Sequence, residues 1–123
     1  MAKILIVDDD VKFTELLKSI LQELGHHAEL SADGVQAVEK LRTESFDVLV
    51  LDLIMPKKDG LEVLIDIRKQ QKDLKVIAMS GGGYGSASDY LSWAKTLGVH
   101  RTLPKPFSRD EFLLAVSECL GME

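Results

Sequence analysis

Ile4-Leu5-Ile6-Val7-Asp8-Asp9-Asp10 and Val48-Leu49-Val50-Leu51-Asp52 are two apolar runs of four, each ending abruptly in carboxylates. Unbroken stretches of branched side chains, bounded by polar residues, read as strands buried on both faces. A strand that stops at a carboxylate sets it on the C-terminal edge of a sheet. In open parallel α/β sheets that edge is where ligands bind. Asp8, Asp9 and Asp52 repel one another if they converge there. At about 4 Å and an effective dielectric near 20, each pair of unit charges costs roughly 4 kcal/mol. Such a cluster needs a cation, or one member must hold a proton.

Outward from these runs, strand-like and helix-like periods alternate along the chain. Phe13, Leu16, Leu17, Ile20, Leu21 and Leu24 recur at helical spacing, and Gly25 supplies a C-terminal stop. His27 to Leu30 reads as a short strand. Asp33-Gly34 opens a second helix with Ala37, Val38 and Leu41 inward, and Asp47 to Leu51 is the third strand. Gly60 to Lys69 is a third helix, with Leu61, Leu64 and Ile67 on one side, followed by a strand from Val76 to Met79. Ser86 to Leu97 forms a fourth helix that Gly98 ends. His100 to Leu103 is a weak, polar strand. Ser108-Arg109-Asp110-Glu111 fits a capping box, and Phe112, Leu113, Val116 and Leu120 give the last helix its stripe. Five strand–helix units imply an α/β, flavodoxin-like three-layer sandwich with a five-stranded parallel sheet. The order 2-1-3-4-5 puts strands 1 and 3 side by side, which unites Asp8, Asp9 and Asp52.

Residues 1–123 read as one domain with no output domain attached, long enough for a real core at 46% hydrophobic residues. The net charge of −5, from 15 basic and 20 acidic residues, argues against non-specific binding of nucleic acid, which needs a basic face. Cys119 is the single cysteine, so no intramolecular disulfide forms; it reads as a small core residue near a helix end. No run of 18 apolar residues appears, and a strand begins at once after the N-terminus. A cytoplasmic protein with neither membrane span nor signal peptide is expected.

Two further polar residues mark strand ends: Ser80, after Val76-Ile77-Ala78-Met79, and Lys105, in Leu103-Pro104-Lys105-Pro106-Phe107. The ordered set of Asp8-Asp9-Asp10, Asp52 with Met55-Pro56 and Asp59-Gly60, Ser80-Gly81, and Lys105-Pro106-Phe107 closely resembles the receiver domain of two-component response regulators. The resemblance covers residues 3 to about 120. Any one motif is weak; all four in order at strand ends are specific. The resemblance implies that Asp52 accepts a phosphoryl group. It implies that Asp8 and Asp9 hold Mg²⁺, Asp9 the more direct ligand, with Asp52 and the Ile54 carbonyl completing the set. Ser80 matches the switch hydroxyl, with the Gly81 amide beside it, and Lys105 the lysine that pairs with the phosphoryl group. It also implies a cis Lys105–Pro106 bond.

General chemistry agrees. Mg²⁺ prefers carboxylate, phosphate and water oxygens. A carboxylate can become an acyl phosphate, and phosphoryl transfer asks the protein mainly for positioning and charge neutralisation. Taken singly, Asp8 or Asp10 is also a helix N-cap, and that is the main role read for Asp10. Lys105 alone would be a solvated surface charge.

This sequence departs from the family pattern in three places. Thr102 occupies the position, three before the lysine, where the family carries a switching aromatic ring. Pro104 removes a backbone donor, which marks an edge strand. Gly81-Gly82-Gly83-Tyr84-Gly85 gives its loop backbone freedom, so switching is expected to run through that loop and the fourth helix. Ile54 and Gly82, two past Asp52 and Ser80, cannot orient a water by side chain, so a long-lived phosphoryl group is expected. His26-His27 reads as surface or turn, because no nearby acid or cysteine completes a metal site. Trp93 and Tyr90 read as packing residues of the fourth helix.

The expected function is a phosphorylation-dependent switch. A sensor histidine kinase or phosphotransfer protein charges Asp52, and the surface of helix 4, strand 5 and helix 5 then engages a separate protein. Monomer or weak dimer is expected, without direct contact to nucleic acid. The chain would not be an enzyme beyond assisting its own phosphorylation and dephosphorylation. A fragment of a longer regulator is the alternative. A rival is a haloacid-dehalogenase-like, Mg²⁺-dependent phosphatase using Asp8 as nucleophile and Asp10 as acid/base. That family needs a late acidic pair, and Ser80-Gly81-Gly82 offers none. A flavin-binding flavodoxin relative is a third reading, opposed by the acidic residues in what would be its phosphate loop.

Overall fold

The computed structural model describes residues 1–55, 60–81 and 87–121, and the side chains of residues 92 onward in the last of these segments. Expectations about Pro56, Asp59, residues 82–86 and the Tyr90 side chain lie outside the described residues. Within them the order is β1 (Lys3–Val7), α1 (Val11–Glu23), β2 (His27–Ser31), α2 (Gly34–Thr43), β3 (Val48–Asp52), α3 (Gly60–Gln70), β4 (Lys75–Ser80), α4 (Ala87–Thr96), β5 (Arg101–Pro104) and α5 (Arg109–Leu120). All strands pair in parallel, in the expected order β2-β1-β3-β4-β5.

Alternation along each strand builds two cores from one run of apolar residues. Leu5, Val7, Leu49 and Leu51 face Val63, Leu64 and Ile67 of α3. Ile4, Ile6, Val48 and Val50 face Leu17 and Leu21 of α1 and Phe112 and Val116 of α5. Each such side chain, fully buried, contributes roughly 1.5–3 kcal/mol, which is why the central strands are apolar on both sides.

The helix ends follow local chemistry. Asp10 caps α1 by accepting from the Phe13 amide at 3.1 Å. Ser108 and Glu111 exchange hydrogen bonds of 2.9 and 3.0 Å in the capping box of α5. Gly25 and Gly98 take φ of +85° and +82° just past α1 and α4, a region that disfavours residues with a Cβ. Arg68, on the last turn of α3, donates to the carbonyls of Gln71, Lys72 and Leu74 and to those of Leu97 and Gly98. It thereby ties the C-terminal ends of α3 and α4 together. Cys119 is buried, as expected.

Some expectations need correction. Leu16 and Leu24 do not face the sheet; both are more than half exposed. The apolar stripe of α1 is wider than its contact, which consists of Thr14, Leu17, Ile20 and Leu21. Thr14 is tolerated inside because its hydroxyl donates to the Val11 carbonyl at 3.0 Å. Leu16 instead lines, with Phe13, Ile20, Phe107 and Phe112, a groove of about 320 Å³ between α1 and α5. Asp47 lies outside β3 and accepts the Lys3 amide at 2.8 Å. An acid does lie beside His27: its Nε2 is 3.1 Å from Glu29 Oε2, a carboxylate also paired with Lys40 and Lys3.

Candidate functional site

Parallel register carries the strand ends to one edge. Val7 pairs with Leu51, Asp52 with Met79, and Ser80 with Pro104, so the residues following each run meet there. Asp8 and Asp52 are buried and Asp9 is exposed. One carboxylate oxygen from each lies within 4.8 Å of the others. Asp8 Oδ1 accepts the Asp10 amide at 3.0 Å, and Asp52 Oδ1 accepts the Ile54 amide at 3.1 Å. Both carboxylates are thus aimed by their own turns.

Lys105 enters from the far edge. Its Nζ donates to Asp8 Oδ2 at 2.7 Å and lies 3.5 Å from Asp52 Oδ2. Its amide donates to the Ser80 carbonyl at 2.8 Å, and the Lys105–Pro106 bond is cis as expected. Ser80 Oγ is buried with no hydrogen-bond partner among the described residues. A buried hydroxyl left unpaired costs roughly 1–3 kcal/mol, so an oxygen-rich ligand there gains by meeting it. Gly81 flanks the lysine: a Cβ built on it would be 3.5 Å from Lys105 Cδ.

The electrostatics are unbalanced. Burial, and then the charge of Asp8, push the Asp52 carboxyl up to about 7 against the opposing Ile54 amide and Lys105. Burial works against the Lys105 charge, but the hydrogen bond to Asp8 and the field of Asp52 outweigh it and raise the ammonium above its ordinary range. Three clustered carboxylates facing one ammonium suit a hard divalent cation such as Mg²⁺, which takes oxygen donors.

Sequence reasoning expected Asp8, Asp9, Asp52, Ser80 and Lys105 at one edge, where Asp8, Asp9, Asp52 and Lys105 lie together and Ser80 closes the neighbouring strand. It missed two supports. Gly60 packs so closely behind the site that a Cβ there would lie 2.3 Å from the Asp52 carbonyl oxygen and 2.4 Å from Leu53 Cα. The Gly60 amide donates to the Leu53 carbonyl at 3.0 Å, fixing α3 to the strand that carries Asp52. Phe13 lies under the Lys105 ammonium, 4.7 Å from Nζ to ring centroid. No local pattern marks a contact between residues so far apart in the chain.

The strand order, with acidic groups gathered where it reverses, places the molecule among the flavodoxin-like signalling folds. Residues 4–117 match the response regulator receiver domain, and the chain belongs to that family. It is a phosphorylation-switch domain of two-component signalling. A CpxR homolog from Haemophilus influenzae, described as a transcriptional regulatory protein, is 37% identical over 98% of this chain and 51% of its own length. The chain thus spans about half the length of the curated relatives it matches. The receiver domain of Francisella response regulator 1452 superposes with a TM-score of 0.86 at 32% identity, covering 98% of both chains. TrrA of Thermotoga maritima, solved in complex with Mg²⁺–BeF, gives 0.83 at 36% identity, covering 97% of this chain and 99% of its own.

The phosphatase reading is set aside by this membership and by geometry. Asp10, its required acid/base, spends its carboxylate on the cap of α1. No helix among the described residues is long and apolar enough to cross a membrane.

Proposed function

We propose that Asp52 is the phosphoacceptor of this domain. The supporting observation is the approach of Lys105 Nζ to within 3.5 Å of buried Asp52, beside the end of β4, where the Ser80 hydroxyl has no hydrogen-bond partner among the described residues. A carboxylate oxygen of Asp52 attacks phosphorus. The bond from phosphorus to the donor breaks, and the donor leaves with that electron pair: a histidine side chain of a kinase or phosphotransfer protein, or acetate from acetyl phosphate. Asp8, Asp9 and Asp52, with the Ile54 carbonyl, would hold Mg²⁺, which neutralises charge on the phosphoryl oxygens when bound. The Mg²⁺–BeF complex of the Thermotoga relative supports that assignment.

The chain's own groups do the rest. Lys105 moves its donor from Asp8 toward the new anion, and Ser80 Oγ and the Gly81 amide take remaining oxygens. The added charge shifts the domain toward a form whose α4–β5–α5 face binds an effector. That effector is a separate protein, and the switch works in the cytoplasm as a monomer or weak dimer. The match takes up only 51% of the CpxR homolog's length, so a covalently attached effector is the second reading.

Incubation with acetyl phosphate and Mg²⁺, followed by intact-mass measurement, tests the chemistry. Wild type should gain one phosphoryl mass and Asp52→Asn none. A gain that persists in Asp52→Asn refutes the assignment.

A further inference from the structure

We propose that Phe13 is a positioning residue for Lys105, a ring shelf that holds the ammonium between Asp8 and Asp52. The inference rests on the reading of Lys105 given above and adds to it a residue on α1.

Lys105 is long and flexible, and its ammonium must find one place at the rim of the site. Two sides of that place are carboxylates: Asp8 Oδ2 at 2.7 Å and Asp52 Oδ2 at 3.5 Å. A third side is the ring of Phe13, with its centroid 4.7 Å from Nζ. An aromatic face attracts a cation through its quadrupole, more strongly when the pair is partly removed from water. The lysine side chain is 23% exposed, so the contact is partly desolvated.

A ring differs from a third carboxylate in a way that suits transfer. It carries no net charge, so it does not repel an incoming phosphoryl group. Its attraction is broad across the face, so the ammonium can slide from Asp8 toward a phosphorylated Asp52 without leaving it.

The shelf is itself fixed. The Phe13 amide is held by the Asp10 cap at 3.1 Å. Phe107 meets the Phe13 ring edge-on, with centroids 5.7 Å apart at 69°. Phe107 in turn stacks on buried Phe112 at 6.0 Å and 25°. Because Phe107 follows Lys105 by two residues, this aromatic row grips both the shelf and the backbone that delivers the lysine. It ties α1 to the segment after β5.

The test is a substitution series that changes the ring's electrostatics while keeping its shape. Phe13 is replaced by Leu, by Tyr, and by mono-, di- and trifluorinated phenylalanines in the full chain. The rate of phosphorylation by acetyl phosphate in Mg²⁺ is read by intact mass, with folding checked by circular dichroism. Phe13→Leu should slow labelling roughly threefold to tenfold, Phe13→Tyr should stay within about twofold of wild type, and rates should fall stepwise with fluorination. Equal rates across the fluorinated rings would mean that Phe13 only packs, and would overturn the proposal even if Phe13→Leu fails to fold. An unlabelled wild type sinks the phosphoacceptor reading and this one together. A labelled wild type with a flat series sinks this one alone.

Discussion

Replacing Asp52 by Asn should stabilise the metal-free domain at alkaline pH and do little in acid. The Asp52 carboxyl moves from an ordinary 3.8 to about 7 on folding, because burial and the neighbouring Asp8 disfavour its charge. Between those values the folded protein binds a proton that the unfolded chain releases, so stability falls as pH rises through that window. About three pH units at 1.36 kcal/mol each set a ceiling of about 4 kcal/mol. Asparagine keeps an acceptor for the Ile54 amide and leaves Lys105 its shorter bond to Asp8. It should recover roughly 2–4 kcal/mol at pH 8. With an unfolding entropy of about 2 cal/mol/K per residue, that is roughly 8–15 °C in Tm. The assay is thermal and urea denaturation of both proteins in EDTA at pH 5 and pH 8. Titrating groups away from Asp8 and Lys105 are common to the pair and cancel in the difference. At pH 5 the gap should shrink to roughly 1–2 kcal/mol, since only the climb from 3.8 to 5 has then been made. Adding Mg²⁺ at pH 8 should narrow the gap by binding folded wild type more tightly. Equal midpoints at pH 8, or an equally large gap at pH 5, would refute the claim that an ionised Asp52 strains this fold.

Two further outcomes are expected. Gly60→Ala drives a methyl into the backbone of Asp52 and Leu53, so urea unfolding should show a loss near the upper end of the roughly 1–3 kcal/mol typical of overpacking, with slower phosphorylation; an unchanged midpoint would show that α3 yields there. Ile54, 37% exposed and two residues past Asp52, offers no group to orient water, so the phosphorylated form should outlast minutes at neutral pH with Mg²⁺ and Ile54→Gln should shorten its life roughly tenfold; phosphate release within seconds from wild type would contradict this.

Much of the architecture was legible because its signals are local. Four apolar residues followed by carboxylate mark both the strand and its edge, and Asp10 and Ser108 announce the helices they cap. The edge that carries these residues was legible for the same reason: Asp52 and Ser80 close β3 and β4, Asp8 and Lys105 follow β1 and β5, and one strand order sets all four on one side of the sheet. What escaped depends on contacts between distant segments. The apolar period of α1 places Phe13, Leu16 and Leu24 on one stripe, yet only packing decides which part of the stripe meets the sheet. Gly60 reads as a turn residue until the neighbouring backbone is in place. Thr14 looks like a surface hydroxyl until its bond to Val11 lets it go inside.

The absence of an aromatic side chain at Thr102 does not leave the site isolated from the sheet edge. The Lys105 amide is bonded to the Ser80 carbonyl, and Ser80 pairs with Pro104. Lys105, which reaches Asp52, and the last residue of β4 therefore share one backbone link. Pro104 has no amide hydrogen and its ring fixes φ, so that link sits at a stiff point of the edge strand. At the other end of β5, the Arg101 guanidinium binds Glu118 of α5 through bonds of 3.1 and 2.6 Å. A force on Lys105 or Ser80 thus meets a short strand held at both ends. We expect a displacement of β5 to be carried to α5 through Glu118, a link that needs no rotating ring at position 102.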